Sequence, residues 1–192
     1  MTSARRGPLL QALRDATTAQ HRAVEALLPA SWGALGREGY RAYLARLAGF
    51  HLPVETSVFA AHDWDALGLP QAAARPRASL LRADLAALGV DAGSLPYLTA
   101  LPALQAPGRA LGALYVLEGS TLGGQVLARD VARGAAGVPT AFLQGAGDAT
   151  GPRWSSFCRF AEELAASAPS IAPHAVAAAQ QTFAALATWL RP

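Results

Sequence analysis

The stretch YVLEGSTLGGQV, residues 115–126, decides how the chain is read. It lies in a segment, 108–133, whose apolar spacing predicts a helix. Yet it holds Gly119, Ser120, Thr121, Gly123 and Gly124 within six positions. Each glycine inside a helix costs about 1 kcal/mol relative to alanine. On a helical wheel Gly112, Val116, Gly119 and Gly123 form one stripe, with Ala113, Ser120 and Gly124 beside it. Leu111, Tyr115, Glu118, Leu122 and Gln125 take the other side. The glycines therefore clear one face of side chains. Close packing against another helix would explain that. So would a hinge, or a flat ligand that must reach the backbone. Spacing leaves all three open.

Around this segment the periodicity is helical almost throughout, with no alternating strand pattern. Leu9 to Leu28 reads as a first helix, between Pro8 and Pro29. Arg37 to Ala61 reads as a second, with a kink expected at Pro53. A third runs from Arg75 to Leu88 and is closed by Gly89; a short helix is expected over Thr99 to Leu104. After the glycine-bearing segment come a loop region with a short helical piece and two last helices, Pro152 to Ser167 and Pro173 to Leu190. No repeat or linker divides the 192 residues, so one all-α domain, 1–192, is expected.

Composition narrows the function classes. The sixteen basic residues are all arginine and are scattered, which argues against a nucleic-acid surface. No apolar run approaches the roughly 20 residues of a membrane span. Arg14 and Asp15 interrupt the N-terminal region before a signal-peptide core can form, so a cytoplasmic protein is expected. The single cysteine, Cys158, rules out an internal disulfide framework and a Cys-based zinc site. The mild net charge of +3 suits an acidic partner or a small anion.

The first helix carries the other informative group. His21 shares a face with Leu10, Arg14, Thr17, Val24, Glu25 and Leu28. Glu25 is four residues on, within reach of the imidazole. A carboxylate on one ring nitrogen fixes the tautomer and leaves the other free for a metal. Arg14, two turns earlier, could hold a carboxylate about 10 Å along the axis. A histidine satisfied at the core boundary, with Glu25 a solvated neighbour, fits the same spacing. His51, His62 and His174 supply no second metal ligand at a recognised spacing, but an axial ligand to haem needs only one histidine.

Taken together, LRDATTAQHRAVE at 13–25, REGYRAYLARLAGFH at 37–51, RASLLRADLAALG at 77–89 and YVLEGSTLGGQVLARDV at 115–131 resemble the biliverdin-producing haem oxygenases. The likeness is strongest to their bacterial, bacteriophytochrome-associated branch. It implies an all-α, multihelical fold with haem between a proximal helix and a glycine-rich distal helix. His21 then corresponds to the iron ligand, Glu25 to its acidic partner and Arg14 to a propionate contact. Gly119, Ser120, Gly123 and Gly124 correspond to the distal catalytic face. RWSSFCRFAEEL resembles the helix that supplies a further propionate arginine, here Arg159, and Phe183 is placed against haem. Where many members carry a distal aspartate, this chain has Ser120. Glu118 is assigned a structural role.

The resemblance further implies haem as substrate and cofactor, O2 as co-substrate, and biliverdin, carbon monoxide and ferrous iron as products. Electrons would come from a separate ferredoxin, flavodoxin or reductase, since GSTLGG follows no strand and is no dinucleotide fingerprint. A bacteriophytochrome would be a bilin acceptor, and a monomer is expected. The competing readings are a haem carrier or sensor, a haem oxygenase-like protein with another ligand, and a helical interaction module. A diiron site is disfavoured by only 13 acidic residues and no ExxH spacing.

Overall fold

The computed structural model describes residues 7–29, 32–100 and 103–191. Seven helices lie among the described residues: α1 (Pro8–Glu25), α2 (Trp32–Ala61), α3 (Ala78–Ala87), α4 (Pro107–Gly134), α5 (Ala141–Gln144), α6 (Thr150–Ser167) and α7 (Ile171–Leu190). Short 3-10 turns occupy 72–74, 92–94 and 147–149, and no strand occurs among the described residues.

Most expected helices are present, with shifted ends. α1 stops at Glu25 because Leu27 and Leu28 bond back to Val24 and Glu25 in tightened turns. The break in α2 falls at Gly36, whose φ of 60° glycine adopts at little cost. Pro53 stays inside the helix. Having no N–H, it leaves the Gly49 carbonyl without its i+4 donor, and Leu98 N–H fills that role at 2.8 Å. The helix expected over Thr99 to Leu104 is not seen at 99, 100, 103 or 104; residues 101 and 102 lie outside the described residues.

α4 is the spine. In its first half Ala110, Leu111, Ala113 and Leu114 are fully buried in the core shared with α1, α2, α6 and α7. Around its second half a separate cluster joins Leu44, Leu81, Leu85, Val131, Phe142 and Leu143. α7 packs along both α1 and α4. Gly108 of α4 meets Ile171 of α7, and Gly112 meets Ala175 and Ala179, so the two helices run in the same direction. Gln180 of α7 donates to the Ala16 carbonyl, and Phe183 meets His21, so α1 runs that way too. The second halves of all three helices, which carry His21, Phe183 and Gly119–Gly124, therefore reach the same end of the bundle.

Three helix starts are capped by carboxylates from elsewhere in the chain. Glu162 takes the Leu9 and Leu10 N–H groups, at 3.3 and 2.8 Å. Glu55 takes those of Arg77 and Ala78 at 2.8 and 2.6 Å, and Asp84 those of Ala141 and Phe142 at 3.3 and 2.8 Å. Each anion neutralises orphan donors at the positive end of a helix dipole.

Candidate haem site

The glycines of α4 divide by what surrounds them. A Cβ on Gly112 would lie 2.1 Å from the Ala175 carbonyl oxygen, and one on Gly108 2.7 Å from that of Ile171. These residues are glycine because α7 leaves no room. A Cβ on Gly119 would meet only the Trp154 ring, at an ordinary 3.8 Å, and one on Gly123 would meet nothing within 4 Å. Nothing in the described chain needs those two positions bare. Val126, two turns on from Gly119 on the same face, is apolar and 56% exposed, and Leu122, toward the other side, is 40% exposed. A low backbone flanked by uncovered apolar side chains is what a flat apolar ligand requires. Gly124 departs from the sequence expectation. It is buried, and its absent Cβ makes room for the Leu143 carbonyl of α5 at 2.7 Å. Its smallness serves packing between α4 and α5 and not the open face.

On α1, His21 Nδ1 lies 3.3 Å from Glu25 Oε2, with both side chains more than half exposed. This leaves Nε2 without a partner among the described residues, available as a ligand. The Phe183 ring stands edge-on to the imidazole, with centroids 5.7 Å apart. His21, Glu25 and Phe183 are thus brought together. Arg14 on α1 and Arg159 on α6 are exposed, and neither forms an ion pair among the described residues. Both remain free to receive carboxylates.

Beneath the open face lies a polar layer that sequence reasoning missed. The buried Arg77 donates from Nη2 to Ser120 Oγ at 2.8 Å and to the Leu117 carbonyl at 3.1 Å. Its guanidinium carbon sits 4.6 Å from the centre of the Phe142 ring. Ser120 Oγ donates in turn to the Leu117 carbonyl at 2.7 Å. The backbone N–H of Arg77 is held by Glu55, whose Oε2 also meets His51 Nε2 at 2.9 Å. Burial holds the His51 imidazole below its ordinary range and outweighs its Glu55 partner, so the ring is neutral and donates from Nε2. Burial pushes the Glu55 carboxyl up, but the hydrogen bonds from His51, Arg77 and Ala78 prevail and hold it low. Glu118 has the structural role expected of it: Arg75 Nη1 donates to its carboxylate at 2.8 Å, and Nη2 to Ser156 Oγ at 2.9 Å. Burial still raises the Glu118 carboxyl. No short-range pattern announces Arg77, because the partners of its guanidinium lie 40 or more positions away.

The Heme oxygenase family model matches residues 7–192.

The chain belongs to the haem oxygenase family.

No curated protein sequence matches it. Among solved structures, the NO- and CO-bound haem oxygenase of Neisseria meningitidis aligns with a TM-score of 0.72 at 24% identity, covering 95% of this chain and 90% of that one. The two share a fold, the multihelical haem oxygenase fold expected from sequence.

The residues present fit the ligand that the family name implies. An exposed imidazole with one nitrogen engaged and one free is a donor set suited to a single axial bond. The bare backbone at Gly119 and Gly123 suits close approach by a ring, and the unpaired Arg14 and Arg159 suit carboxylates. Among the described residues no three His, Cys, Asp or Glu side chains converge as a metal cluster. A separate groove of about 830 Å³ lies between α2, the 95–100 segment and the end of α7. Ala45, Leu98, Ala185 and Trp189 line it, with no residue of this constellation, so the site is identified by its chemistry and not by cavity size. No helix among the described residues is long and apolar enough to cross a membrane.

Proposed function

We propose that this haem oxygenase family member oxidises haem, with O2 and electrons from a separate donor, to biliverdin, carbon monoxide and ferrous iron. The observation that carries the reading is the pair Gly119 and Gly123: among the described residues a Cβ there would meet nothing at Gly123 and only the Trp154 ring, at 3.8 Å, at Gly119, and this face lies at the same end of the bundle as His21. Membership of the family supports the same reading.

The oxygen and ring chemistry is supplied by haem when bound. His21 would hold the iron through Nε2, with Glu25 keeping Nδ1 protonated and the ring turned outward. Phe183 limits rotation of the imidazole by its edge contact. Arg14 and Arg159 would take the propionates and so fix the rotational setting of the macrocycle. Gly119 and Gly123 leave space above the ring that any side chain would take. The glycine-rich run lies within α4 and is no nucleotide-binding loop, so the reductant is external; the net charge of +3 suits an acidic donor protein.

The test is a titration of the purified protein with haemin, followed by an electron donor in air, read by absorption. Saturable Soret binding that converts to a biliverdin spectrum is expected. Haem binding without bilin would identify a carrier, and no binding would return the open face to protein packing. Replacing His21 with alanine removes axial ligation and turnover; an unchanged haem spectrum would overturn the ligand assignment.

A further inference from the structure

The groove of about 830 Å³ between α2, the 95–100 segment and the end of α7 contains none of the residues assigned above to haem. Its size is that of a small-molecule site. Short side chains make the space. Ala42 and Ala45 line it from α2, and Ala184 and Ala185 from α7; Leu95 and Leu98 close the third side. The walls are held in place. Leu98 N–H bonds to the Gly49 carbonyl at 2.8 Å, and the Tyr97 hydroxyl to the Ala92 carbonyl at 2.5 Å. The Trp189 indole N–H donates to the Arg46 carbonyl at 2.7 Å. A side chain on Gly49 would collide with the Trp189 ring and the Pro96 carbonyl, so the three walls meet in contact beside that glycine. The groove is therefore pre-formed, and filling it costs little reordering of the chain.

The polar side chains of its lining say what the ligand carries. They are Arg46, Arg191 and Thr188. Arg46 Nε donates to the Trp189 carbonyl at 3.0 Å, and Nη2 to the Arg191 carbonyl. These bonds set the guanidinium across the C-terminus of α7 and leave Nη1 without a partner among the described residues. The Arg191 guanidinium and the Thr188 hydroxyl have none among them either. No acidic residue lines the groove, and neither arginine forms an ion pair among the described residues. The acids that flank it in sequence are engaged elsewhere, Glu38 by Arg41 and Asp91 by the Gly93 N–H. The C-terminus of α7 offsets only about half a charge of the two. An apolar hollow with a net positive charge remains.

We infer that this groove is a second ligand site, which binds an amphipathic carboxylate: an aliphatic chain lies along the alanine-lined walls, and its single carboxylate is taken by Arg46 Nη1 and the Arg191 guanidinium. Arginine donors and a carboxylate form charge-assisted hydrogen bonds, and the chain leaves water for the apolar lining. The same two charges refuse an amphipathic cation. The site is separate from the haem site and does not depend on the haem reading.

The test titrates the purified protein with dodecanoate, before and after loading with haemin. Calorimetry reads the affinity, and the indole N–H resonance of Trp189 reads the location. Saturable single-site binding is expected, with a shift of that resonance, and it should persist when haemin is bound. Arg191→Glu should weaken it about tenfold, the loss of one charge-assisted bond. Ala184→Phe, which fills the groove, should abolish it, with melting curves to show that both variants fold. Dodecylamine should leave the resonance unmoved. If Ala184→Phe does not fold, Arg191→Glu and the amine decide by the same criteria. No saturable binding to the wild-type protein, equal affinity in Arg191→Glu, or equal binding of the amine would each overturn the inference. So would displacement of dodecanoate by haemin, which would place the anion at Arg14 and Arg159 instead. Failure of haemin to bind would count against the functional reading alone, since the titration without haemin still tests the groove.

Discussion

An added Cβ at Gly112 would lie 2.1 Å from the Ala175 carbonyl, while one at Gly123, about three turns further along the same stripe, would find nothing within 4 Å. The two halves of α4 share a sequence pattern and differ in what presses on them. The first half is sealed by α7, and its glycines let two backbones approach. In the second half, the face that carries Gly119 and Gly123 is left open among the described residues, with only the Trp154 ring at 3.8 Å from a Cβ at Gly119. A stripe of small residues therefore carries no fixed meaning along its length. Gly124, one position from Gly123, belongs to the packing class because it turns toward Leu143.

The sharpest way to break this comparison is to add a methyl group where the structure has no room. Gly112→Ala should destabilise the apo protein by about 3 kcal/mol, because two backbones must separate; chemical denaturation checks this. A Gly112→Ala protein as stable as wild type would dissolve the distinction. Gly123→Leu is expected to lower turnover about a hundredfold, or 2.7 kcal/mol in activation free energy, with apo stability unimpaired. Steady-state bilin formation and a melting curve together test that pairing. Gly124→Ala should cost about 1–2 kcal/mol of stability, since the Leu143 carbonyl at 2.7 Å has to yield. Gly123→Ala should stabilise the apo protein by about 0.5–1 kcal/mol through helix propensity alone. A destabilised Gly123→Ala would mean that protein covers this face after all.

The gentlest test compares the apolar layer under the first half with the polar layer under the second. His51 has a folded-state pKa below its unfolded value of 6.5. The stability it contributes is therefore complete above that pH and is lost as pH falls below it. Glu55, also held low, adds a second loss at more acidic pH, below its ordinary 4.5. Denaturation midpoints measured from pH 7.5 downward should fall, and His51→Gln should flatten the first part of that slope.

Much of this was legible in the residues alone. The 3.6-residue periodicity placed the long helices, because burying one face is a local demand that the chain must meet in its own order. The His21–Glu25 pair was legible because four residues is one helical turn, and the structure keeps the two 3.3 Å apart. The stripe was legible as a stripe. Its partition was not, since whether α7 or open space lies over a glycine depends on where another helix packs. Arg77 was invisible for the same reason: Ser120 lies 43 positions away, and only tertiary packing, α3 on α5 and α5 on α4, brings them within hydrogen-bond distance. The three helix caps supplied by Glu55, Asp84 and Glu162 were equally hidden. Interactions within one turn are set by helix geometry and can be read from spacing. Those between helices depend on which surfaces meet when the core closes, and for α4 that closure alone separated the glycines that pack from those that leave a face open.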